Sequence, residues 1–475
     1  MKRDGLVEAD DPSSSALEHP GGSATGGEPM NRPRIGVMGA GWVGLVTAAC
    51  FAELGHEVVV RDVLPQRIAD LAAGHTPIYE PGLAELLQRN RERIRFTLAA
   101  ADVFAAAELV FVCVGTPPTR SGDADLSAVW HVLDELPEVN GRTVLIMKST
   151  VPVGTGAKVR AELDARGLSR VGYISNPEFL AEGTAVADFI DPDRVVIGSF
   201  DTAHVERLAA LYEPLNATLL TTDVPSAEMI KYASNAFLAT KISFINEIAN
   251  VCDETGADVA VVAKGMGLDK RIGPRFLRPG IGYGGSCFPK DVAALKQLAG
   301  NSGYHFQLLT AVIEVNELQK RRLLTKLRWQ LGSLRGRRIA LLGLTFKPDT
   351  NDIREAPSLV LAARLLAEGA EVRAWDPVAL DEAAPLLEGV GLYDDPLEAA
   401  RDADAAVIVT EWEQLSRLPL DELYAAMRTP LIVDGRNLLD PETVRAAGFA
   451  YEAVGRPSAA IAPVVELPRS AVTSA

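Results

Sequence analysis

Short apolar runs alternate with helical stretches along most of the chain. The first run, Arg34–Met38, precedes an alanine-rich helical stretch at Trp42–Leu54, and a second run, Glu57–Asp62, ends in an acid. Further strands are predicted at Leu109–Val114, Thr143–Met147, Val195–Gly198 and Thr218–Thr221. Strands that alternate with helices indicate βαβ units and a parallel sheet.

The pattern changes at Ser226, where one helical periodicity continues to Thr255. A helix of this length spans about 45 Å at 1.5 Å per residue. Its apolar positions predict a broad buried stripe, and they are Met229, Tyr232, Ala233, Ala236, Phe237, Phe244, Ile245, Ile248 and Val251. A second βαβ series follows, with strands predicted at Arg338–Leu342, Val372–Trp375, Ala406–Val409 and Leu431–Val433. The sequence therefore predicts an α/β protein with two Rossmann-like lobes joined by a long central helix.

Composition marks the ends of the folded region. Residues 1–33 are rich in Gly, Ser, Pro and acidic residues, and residues 457–475 are similarly irregular, so both are predicted to be disordered tails. Between them we expect a first lobe at 34–225, a central helical region at 226–330 and a second lobe at 331–456.

Charge and cysteine content exclude several classes of protein. Lys and Arg number 47 against 63 Asp and Glu, and the resulting net charge of −16 argues against a nucleic-acid or anionic-membrane binder. No apolar run is long enough for a membrane span or a signal peptide. The four cysteines lie far apart and form no metal-type CxxC pair, so we expect no metal site and a reducing, cytoplasmic location.

A glycine motif lies between the first strand and the first helix. Gly39-Ala40-Gly41-Trp42-Val43-Gly44 fits GxGxxG, in which the glycines permit a tight turn, close approach of a pyrophosphate, and close helix packing. Asp62 follows Gly39 by 23 residues, where a carboxylate accepts a hydrogen bond from a ribose 2′-hydroxyl. This motif predicts NAD rather than NADP, a preference that Arg61 and Arg67 weaken without reversing.

A second glycine-rich segment, Gly282–Asp291, places one cysteine at the start of a predicted helix. The glycines free the backbone to wrap a ligand. A helix N-terminus and nearby lysines are expected to lower the pKa of the Cys287 thiol, which suits a nucleophile, and Asp291 lies one turn later. The other three cysteines lie in apolar runs and are better explained as small core side chains.

Three further groups of polar residues point to catalysis. Lys231 and Asn235 lie four residues apart on the long helix and are suited to stabilise an oxyanion, the alternative being a solvated helix face. Glu178 and Glu182 follow a strand and either act as a base and order water or serve as caps and ion-pair partners. Thr150, in the motif KSTVP, ends a strand where parallel sheets bind ligands, and either orders a water or caps the next helix.

These motifs together resemble the UDP-glucose/GDP-mannose dehydrogenase family of nucleotide-sugar dehydrogenases. The matching stretches are GAGWVG, IYEPGL, VGTPP, KSTVP, NPEFLAEGTA, KYASNAF, RIGPRFLRPGIGYGGSCFPKD, FKPDTNDIRE and VDGRN, within residues 34–455. The loop GYGGSCFPKD is similar to that of the branch that oxidises UDP-glucose. The resemblance implies NAD-dependent, four-electron oxidation of UDP-glucose to UDP-glucuronate for polysaccharide biosynthesis, through a thiohemiacetal and a thioester on Cys287, with two NADH formed.

The resemblance also implies roles for individual residues. The expected catalytic residues are Cys287, Lys231, Asn235, Asp291, Glu178, Thr150 and Glu182. The expected NAD-binding residues are Gly39, Gly41, Trp42, Val43, Gly44, Asp62, Arg67, Thr116, Thr150, Glu182, Lys290 and Arg354. The expected residues for UDP-glucose are Glu178, Phe179, Leu180, Lys231, Asn235, Arg271, Phe276, Tyr283, Gly284, Phe346, Lys347 and Arg436. Arg271 is expected to reach a neighbouring subunit's site, which implies a homodimer or a larger homo-oligomer.

Several alternatives stay open or are disfavoured at this point. A different nucleotide sugar remains an alternative substrate, and either Glu178 or Asp291 serves as the base. A two-electron β-hydroxyacid dehydrogenase shares the first lobe and a Lys/Asn pair but needs neither the cysteine nor the second lobe. A non-enzymatic sensor is disfavoured because it would be expected to lack Cys287, Lys231 or Asp291.

Overall fold

The computed structural model describes residues 32–137 and 142–457. The tails predicted at 1–33 and 457–475 lie almost entirely outside the described residues. The described chain from Pro33 onward forms one compact unit that contains two α/β sheets.

The first sheet has eight strands in the order β3-β2-β1-β4-β5-β6-β7-β8. They are β1 (Ile35–Met38), β2 (Val58–Arg61), β3 (Ile94–Thr97), β4 (Leu109–Val112), β5 (Val144–Met147), β6 (Gly172–Ser175), β7 (Val195–Ser199) and β8 (Leu219–Thr222). All pairs are parallel except β6 and β7, so the prediction of a parallel sheet is wrong at that one pair. An antiparallel neighbour needs no crossover. The connection from Asn176 to Arg194 therefore stays at the carboxyl end of the sheet.

The second sheet has six strands, all parallel, in the order β11-β10-β9-β12-β13-β14. They are β9 (Arg338–Leu342), β10 (Glu371–Trp375), β11 (Val390–Tyr393), β12 (Ala405–Ile408), β13 (Leu431–Asp434) and β14 (Ala450–Ala453). Both sheets contain the strand order 3-2-1-4-5-6 of a Rossmann fold, which places a ligand crevice where the order reverses, beside β1 and β9.

Helices cover both sheets and fill the region between them. The first lobe has α1 (Trp42–Glu53), α2 (Pro65–Ala72), α3 (Leu83–Arg89), α4 (Ala100–Ala106), α5 (Ser127–Asp134), α6 (Thr155–Ala165), α7 (Ala185–Ile190) and α8 (Thr202–Tyr212). The central helices are α9 (Val224–Thr255), α10 (Val259–Gly267), α11 (Phe288–Asn301), α12 (Gln307–Gln319) and α13 (Arg322–Leu331). The second lobe has α14 (Pro357–Ala367), α15 (Leu380–Ala383), α16 (Pro396–Ala400), α17 (Glu413–Ser416), α18 (Leu420–Ala426) and α19 (Pro441–Ala446).

Helix α9 is 32 residues long, and its ends carry recognisable signals. Asp223 caps the N-terminus by accepting a hydrogen bond from the backbone N–H of Ser226 at 2.7 Å. Gly256 ends the helix with a positive φ of 77°, which glycine adopts without strain. The long helix predicted between Ser226 and Thr255 is therefore confirmed, with two more residues at its start.

The apolar positions of α9 form two faces rather than one buried stripe. Tyr232 and Ala236 are buried where the helix packs against α11 and α12, and Ile245 is buried in the core of the second lobe. The prediction is wrong for five other positions, which are exposed: Met229, Ala233, Phe237, Phe244 and Val251. The side chain pattern alone cannot separate a face covered by the same chain from an apolar face that this chain leaves uncovered.

Candidate functional site

The GxGxxG loop has the backbone form that a dinucleotide site needs. Gly39 has a φ of +105°, and a Cβ there would lie 2.7 Å from the carbonyl oxygen of Cys113. A Cβ on Gly44 would lie 1.9 Å from the carbonyl oxygen of Gly39, whereas a Cβ on Gly41 would meet nothing within 4 Å. Two glycines are therefore required by packing, and the third leaves the loop open in front of the N-terminus of α1, where a pyrophosphate fits.

Asp62, the acid after β2, accepts a hydrogen bond from the same loop. Asp62 is buried, and its carboxylate accepts hydrogen bonds from the N–H groups of Ala40 at 2.8 Å and Leu64 at 3.0 Å. Arg67 lies 3.3 Å from this carboxylate, while Arg61 turns away to pair with Glu135. Both arginines are thus neutralised by acids. The residues present fit NAD, and they disfavour a 2′-phosphate.

Cys287 lies at the N-cap of α11, as the sequence predicts. The N–H of Asp291 donates to the carbonyl oxygen of Cys287 at 2.9 Å, and Ser286 Oγ lies 3.6 Å from Cys287 Sγ. Burial raises the pKa of the Cys287 thiol to about 11, and the carboxylate of Glu178 adds to this effect more than Lys231 opposes it. The expectation of a lowered thiol pKa is therefore wrong in this structure, because burial and nearby acids outweigh the helix terminus.

Lys231 and Glu178 form a buried ion pair. The two atoms Lys231 Nζ and Glu178 Oε1 are 2.8 Å apart, and each side chain is 4% exposed. Burial alone would raise the pKa of Glu178, but the lysine and the N–H of Leu180 outweigh it and hold that pKa below its ordinary value. Burial likewise opposes the charge on Lys231, but Glu178, Cys287 and Asp291 together raise its pKa. Both groups are therefore charged near neutral pH.

Asn235, one turn after Lys231, is tied to the cysteine helix. Its Nδ2 donates to Asp291 Oδ2 at 2.6 Å, and the other oxygen of Asp291 pairs with Lys290. Asp291 and Asn235 are both buried. The alternative of a solvated helix face for Lys231 and Asn235 is excluded, and the structure brings these residues to one place beside Cys287.

Glu182 joins the first lobe to the second. Its Oε1 accepts from Ser286 Oγ at 3.1 Å, and its Oε2 accepts from Thr350 Oγ1 at 3.2 Å. Burial and the neighbouring carboxylate of Asp352 raise the pKa of Glu182 to about 7, although Arg354 lies 3.9 Å away. This carboxyl group can therefore change its protonation state near neutral pH.

The glycines before Cys287 pack against the chain itself. A Cβ on Gly284 would lie 2.4 Å from the carbonyl oxygen of Glu355, and one on Gly285 would lie 2.7 Å from the ring of Phe346. A Cβ on Gly282 would lie 2.7 Å from Asn316 Oδ1. The expectation that the glycines serve to wrap a ligand is incomplete, since close packing of two loops already requires them.

The second-lobe residues of the predicted substrate site border the same glycine loop. Arg436 donates to the carbonyl oxygens of Val409 at 2.7 Å, Phe346 at 2.9 Å and Gly282 at 3.4 Å. Lys347 Nζ lies 5.5 Å from the centre of the Phe346 ring. Arg436 is thus a tie between the second lobe and the cysteine loop, and Lys347 is the freer cation at this crevice.

Aromatic residues line the approach to the cysteine helix. Phe288 stands edge-on to Tyr283 at 5.8 Å and lies 6.2 Å from Phe276, measured between ring centres. Phe276 has a φ of 64°, an unusual conformation for a bulky residue. In the segment after β6, the Phe179 ring lies 3.7 Å from the guanidinium carbon of Arg194.

Two more predicted residues occupy the strand ends of the first lobe. Thr116 Oγ1, after β4, donates to the carbonyl oxygen of Thr150, after β5, at 2.8 Å. Arg271, in contrast, does not contact the other predicted site residues. Its side chain is 89% exposed and pairs with Asp269 in its own loop at 2.6 Å.

The sequence analysis assigned no role to Glu80, which connects helix α1 to the segment that follows Glu182. This buried carboxylate accepts from Trp42 Nε1 at 2.9 Å and from the N–H groups of Gly183 at 2.7 Å and Ala185 at 2.8 Å. It therefore fixes the segment that carries Glu182 to the helix that follows the glycine motif. The motif IYEPGL, already noted in the resemblance, was the signal for it.

Two features are absent from the described residues. In that part of the chain, no helix combines the length and the apolar character that crossing a bilayer requires. Over the same residues, no three His, Cys, Asp or Glu side chains are grouped as metal ligands.

Comparison with known proteins places the chain in a family. Models of the UDP-glucose/GDP-mannose dehydrogenase family match its NAD-binding domain at residues 33–216, its central domain at 225–318 and its UDP-binding domain at 340–441. The UDP-glucose 6-dehydrogenase of Pseudomonas aeruginosa is 48% identical over 450 residues, covering 90% of this chain and 98% of that protein. The UDP-glucose 6-dehydrogenase TuaD of Bacillus subtilis is 46% identical, covering 90% and 94%.

A solved structure agrees with these matches. The UDP-glucose dehydrogenase from the hyperthermophilic archaeon Pyrobaculum islandicum superposes with a TM-score of 0.83 at 38% identity, covering 91% of this chain and all of that one. The three family models together match most of the described chain, and the solved structure shares its fold. The chain belongs to the UDP-glucose/GDP-mannose dehydrogenase family and is an NAD-dependent oxidoreductase.

Proposed function

We propose that this protein oxidises UDP-glucose to UDP-glucuronate with two molecules of NAD, through a covalent intermediate on Cys287. The observation that carries the proposal is the position of the half-buried Cys287 beside two buried contacts, the Lys231–Glu178 ion pair and the Asn235–Asp291 hydrogen bond. A cysteine among such polar groups suits covalent catalysis rather than packing. The named activities of the relatives favour UDP-glucose over another nucleotide sugar.

The number of electrons explains why a nucleophile is needed. Conversion of a primary alcohol to a carboxylate removes four electrons, and each NAD supplies one hydride acceptor when it is bound. The alcohol that has lost one hydride is an aldehyde, which carries no second hydride it can lose directly. It must first become a tetrahedral adduct, and a single cysteine beside the site provides the atom that forms it.

Cys287 Sγ forms a bond to the aldehyde carbon and gives a thiohemiacetal, whose loss of hydride and hydroxyl proton leaves a thioester. Water then attacks the thioester, the C–S bond breaks, and the carboxylate and the thiolate are released. Glu178 and Asp291 are the candidates for the base that accepts the protons. Glu178 is held ionised by Lys231, and Asp291 lies on the first turn of the cysteine helix.

Negative charge develops on the substrate oxygen at the alkoxide and at both tetrahedral stages. Lys231 and Asn235 lie on one face of α9 beside Cys287 and supply a cation and an amide donor for that oxygen. Oriented donors of this kind are worth a few kcal/mol in a site shielded from water. We expect the substrate oxygen to compete for these donors with the carboxylates that hold them here.

Glu182 and Thr150 are proposed to order the water that hydrolyses the thioester. Glu182 already accepts a hydrogen bond from Ser286, which adjoins Cys287. Its pKa of about 7 allows it to take up or give back a proton at neutral pH.

The second lobe is proposed to bind the UDP part of the substrate. Lys347 and Arg436 lie at the carboxyl ends of its strands and offer cations to a diphosphate in an otherwise acidic protein. A free catalytic thiol is best maintained in a reducing compartment, so we place the reaction in the cytoplasm.

The exposed face of α9 is proposed to pair with a second copy of the chain. Phe237 and Phe244 are 65% and 50% exposed, and Val251 continues the same face at 56%. Three large apolar side chains at a spacing of seven residues form a continuous surface stripe on a helix. A dimer of this kind would also carry the exposed Arg271 towards the partner's site, as the resemblance implies.

The stoichiometry of NADH tests the reaction. With limiting UDP-glucose and excess NAD, we expect two NADH per sugar, lost in Cys287→Ser and kept in the control Cys252→Ala. One NADH per sugar would mean that the aldehyde is released, and the role of Cys287 would be wrong. No NADH from UDP-glucose but turnover of another nucleotide sugar would keep the mechanism and change the substrate.

Mixing two inactive variants tests the role of Arg271 across the dimer. Arg271→Ala keeps its own cysteine, and Cys287→Ser keeps its arginine, so only a site that uses the partner's arginine becomes active in the mixture. We expect recovery of about a quarter of the wild-type activity after subunit exchange. No recovery would show that Arg271 acts within its own chain.

A further inference from the structure

Lys148 is a buried lysine that the proposed reaction does not use. It follows β5 directly and is 5% exposed. Its Nζ donates to Asn176 Oδ1 at 3.2 Å and to the hydroxyl of Tyr212 at 3.3 Å, and both acceptors are neutral. Among the described residues, no carboxylate oxygen lies within ion-pair distance of it. A buried cation without a contacting anion is costly, so a function that uses its charge is the better explanation.

The neutral partners of Lys148 fix the strand end that leads to Glu178. Asn176 Oδ1 also accepts from the Tyr212 hydroxyl at 2.7 Å, and Asn176 Nδ2 donates to the carbonyl oxygen of Val196 at 2.8 Å. The backbone N–H of Asn176 donates to Met147, the residue before Lys148, at 2.9 Å. Every polar atom of the Asn176 side chain is thus engaged, two residues before Glu178.

Glu178 is the carboxylate whose charge acts on Lys148. Burial lowers the pKa of Lys148 to about 8, with Cys113 and Glu178 opposing and Lys231 adding to the effect. In return, Lys148 and Lys231 both lower the pKa of Glu178, against the effect of burial. The hydroxyl of Tyr212 faces Lys148 as well, but burial raises its pKa, so it remains a neutral donor.

Lys148 and Glu178 also border one cavity of about 300 Å³. Its other charged residues are Asp188, Asp191, Asp193, Arg194 and Arg275. A polar cavity of this size has room for several waters. Lys148 therefore borders a space large enough for the waters that proton exchange with solvent requires.

We propose that Lys148 is a positioning residue that holds Glu178 ionised and in place beside Lys231, and that loss of its proton in mildly alkaline solution slows the reaction. This inference rests on the proposed function. The charge of Lys148 acts on Glu178 through space, and its hydrogen bonds act through Asn176. Removal of the charge should therefore change the pH dependence of turnover, whereas removal of packing alone should not.

The test compares Lys148→Met, Lys148→Arg and the exposed-lysine control Lys158→Met over a range from about pH 5.5 to about 9.5. For Lys148→Met we expect kcat at pH 7 to fall about 10-fold with KM for UDP-glucose nearly unchanged, and the acidic limb to move up by about one pH unit. The alkaline limb near pH 8 should disappear in Lys148→Met and move upward in Lys148→Arg, because arginine stays charged.

The proposal is overturned if Lys148→Met lowers kcat by the same factor at every pH, since that is the signature of a purely structural change. If Lys148→Met does not fold, Lys148→Arg decides, and an alkaline limb at the wild-type pH would overturn the proposal. Absence of NADH formation by the wild-type protein would instead contradict the proposed function, which separates the two failures.

Discussion

The two lobes of this protein share the turn after their first strand but differ in the segment that follows this turn. In the first lobe, Gly39 N–H donates to the carbonyl oxygen of Arg61 at 2.7 Å, and Ala40 N–H donates to Asp62 at 2.8 Å. In the second lobe, Gly343 N–H donates to the carbonyl oxygen of Trp375 at 2.7 Å, and Leu344 N–H donates to Asp376 at 2.7 Å. The turn after the first strand is therefore built twice on the same plan.

The lobes diverge immediately after this turn. In the first, α1 begins at Trp42, so its N-terminus and the backbone N–H groups face the crevice. In the second, the chain runs through an extended loop that contains Lys347 before α14 begins at Pro357. We therefore expect the first lobe to hold a phosphate through backbone groups and the second through side-chain cations, because strand order fixes where a ligand binds but not which groups hold it.

The acid after the second strand also has a different role in each lobe. Asp376 accepts from Leu344 and Thr345 N–H groups and from Trp412 Nε1, all of them buried. Both acids also accept from the N–H two residues later, of Leu64 and Val378, but only Asp62 pairs with an arginine, Arg67, at the edge of the crevice. The same acid is therefore a loop anchor in the second lobe and a candidate ribose acceptor in the first.

The largest effect is expected when the shared turn itself is broken. Gly39→Ala and Gly343→Ala each place a Cβ against backbone, at 2.7 Å from Cys113 and from Thr410, with positive φ. Strain and overpacking together cost several kcal/mol, about 1–2 from φ and about 1–3 from contact. We expect Gly39→Ala to weaken NAD binding about 100-fold or more and Gly343→Ala to weaken UDP binding similarly, measured by calorimetric titration with each ligand.

Gly41→Ala is the matched control for the shared turn. Its Cβ would meet no atom within 4 Å, so the melting temperature should stay close to the wild-type value while NAD binding weakens. If each turn substitution abolished binding of both ligands equally, the two lobes would not act as separate sites.

A second pair of variants separates binding from structure within the UDP lobe. Arg436→Met removes the donor to three carbonyl oxygens, and unsatisfied buried acceptors cost about 1–3 kcal/mol each. Lys347→Met removes a charge with little packing. We expect both to raise KM for UDP-glucose about 10-fold or more, and only Arg436→Met to lower the melting temperature. An unchanged KM for Lys347→Met would contradict the proposed use of side-chain cations.

Much of this comparison could be predicted from the sequence, because each lobe repeats apolar strands with helices between them. Strands β3, β11 and β14 were not predicted, and β6 was expected only as the strand before Glu178, without bounds. The first two have partly exposed positions, and β14 begins at an exposed Ala450. The antiparallel step at β6 and β7 also escaped prediction, since nothing in an apolar run records the direction of its partner.

The residues of the candidate site could be predicted from the sequence, but their pKa shifts could not. Glycine spacing and the helical interval of Lys231 and Asn235 identified residues that the fold does bring together. The raised thiol pKa of Cys287 depends on burial, on Glu178 and Glu182 of a distant segment, and on Asp291 of its own helix. No local pattern around Cys287 contains the burial or the distant acids. The exposed face of α9 was not predicted for the same reason, because the exposure of Phe237 and Phe244 depends on which other elements pack there.

A smaller effect is expected when Asp62 or Asp376 is replaced by asparagine. Asp62→Asn weakens the acceptor for the ribose 2′-hydroxyl, so we expect NAD binding to weaken about 10-fold. It also removes the charge that repels a 2′-phosphate, so the preference for NAD over NADP should fall. Asp376→Asn should leave that preference unchanged, because its carboxylate serves the loop. The ratio of kcat/KM for the two cofactors measures both, and an equal change in the two variants would contradict the difference between the lobes.

The smallest effect concerns the contact that links the lobes. Glu182 accepts a hydrogen bond from Thr350 of the second lobe, and burial and Asp352 raise its pKa from 4.5 to about 7. Between these pH values the folded protein keeps a proton that the unfolded chain has lost, so ionisation of Glu182 lowers stability as pH rises through this range. Glu182→Gln avoids this loss, and we expect it to be more stable than wild type by about 1–2 kcal/mol at pH 8 but not at pH 4.5.

Thermal unfolding of Glu182→Gln at the two pH values checks this expectation, with the exposed Glu85→Gln as a control that should show no difference. The same gain at both pH values would mean that the amide improves packing and that Glu182 does not titrate in the folded protein. A gain restricted to high pH would show that the two lobes are held together against the charge of a carboxyl group that the proposed hydrolysis step requires. The junction between two similar lobes would then be less stable because of the catalytic residue placed there.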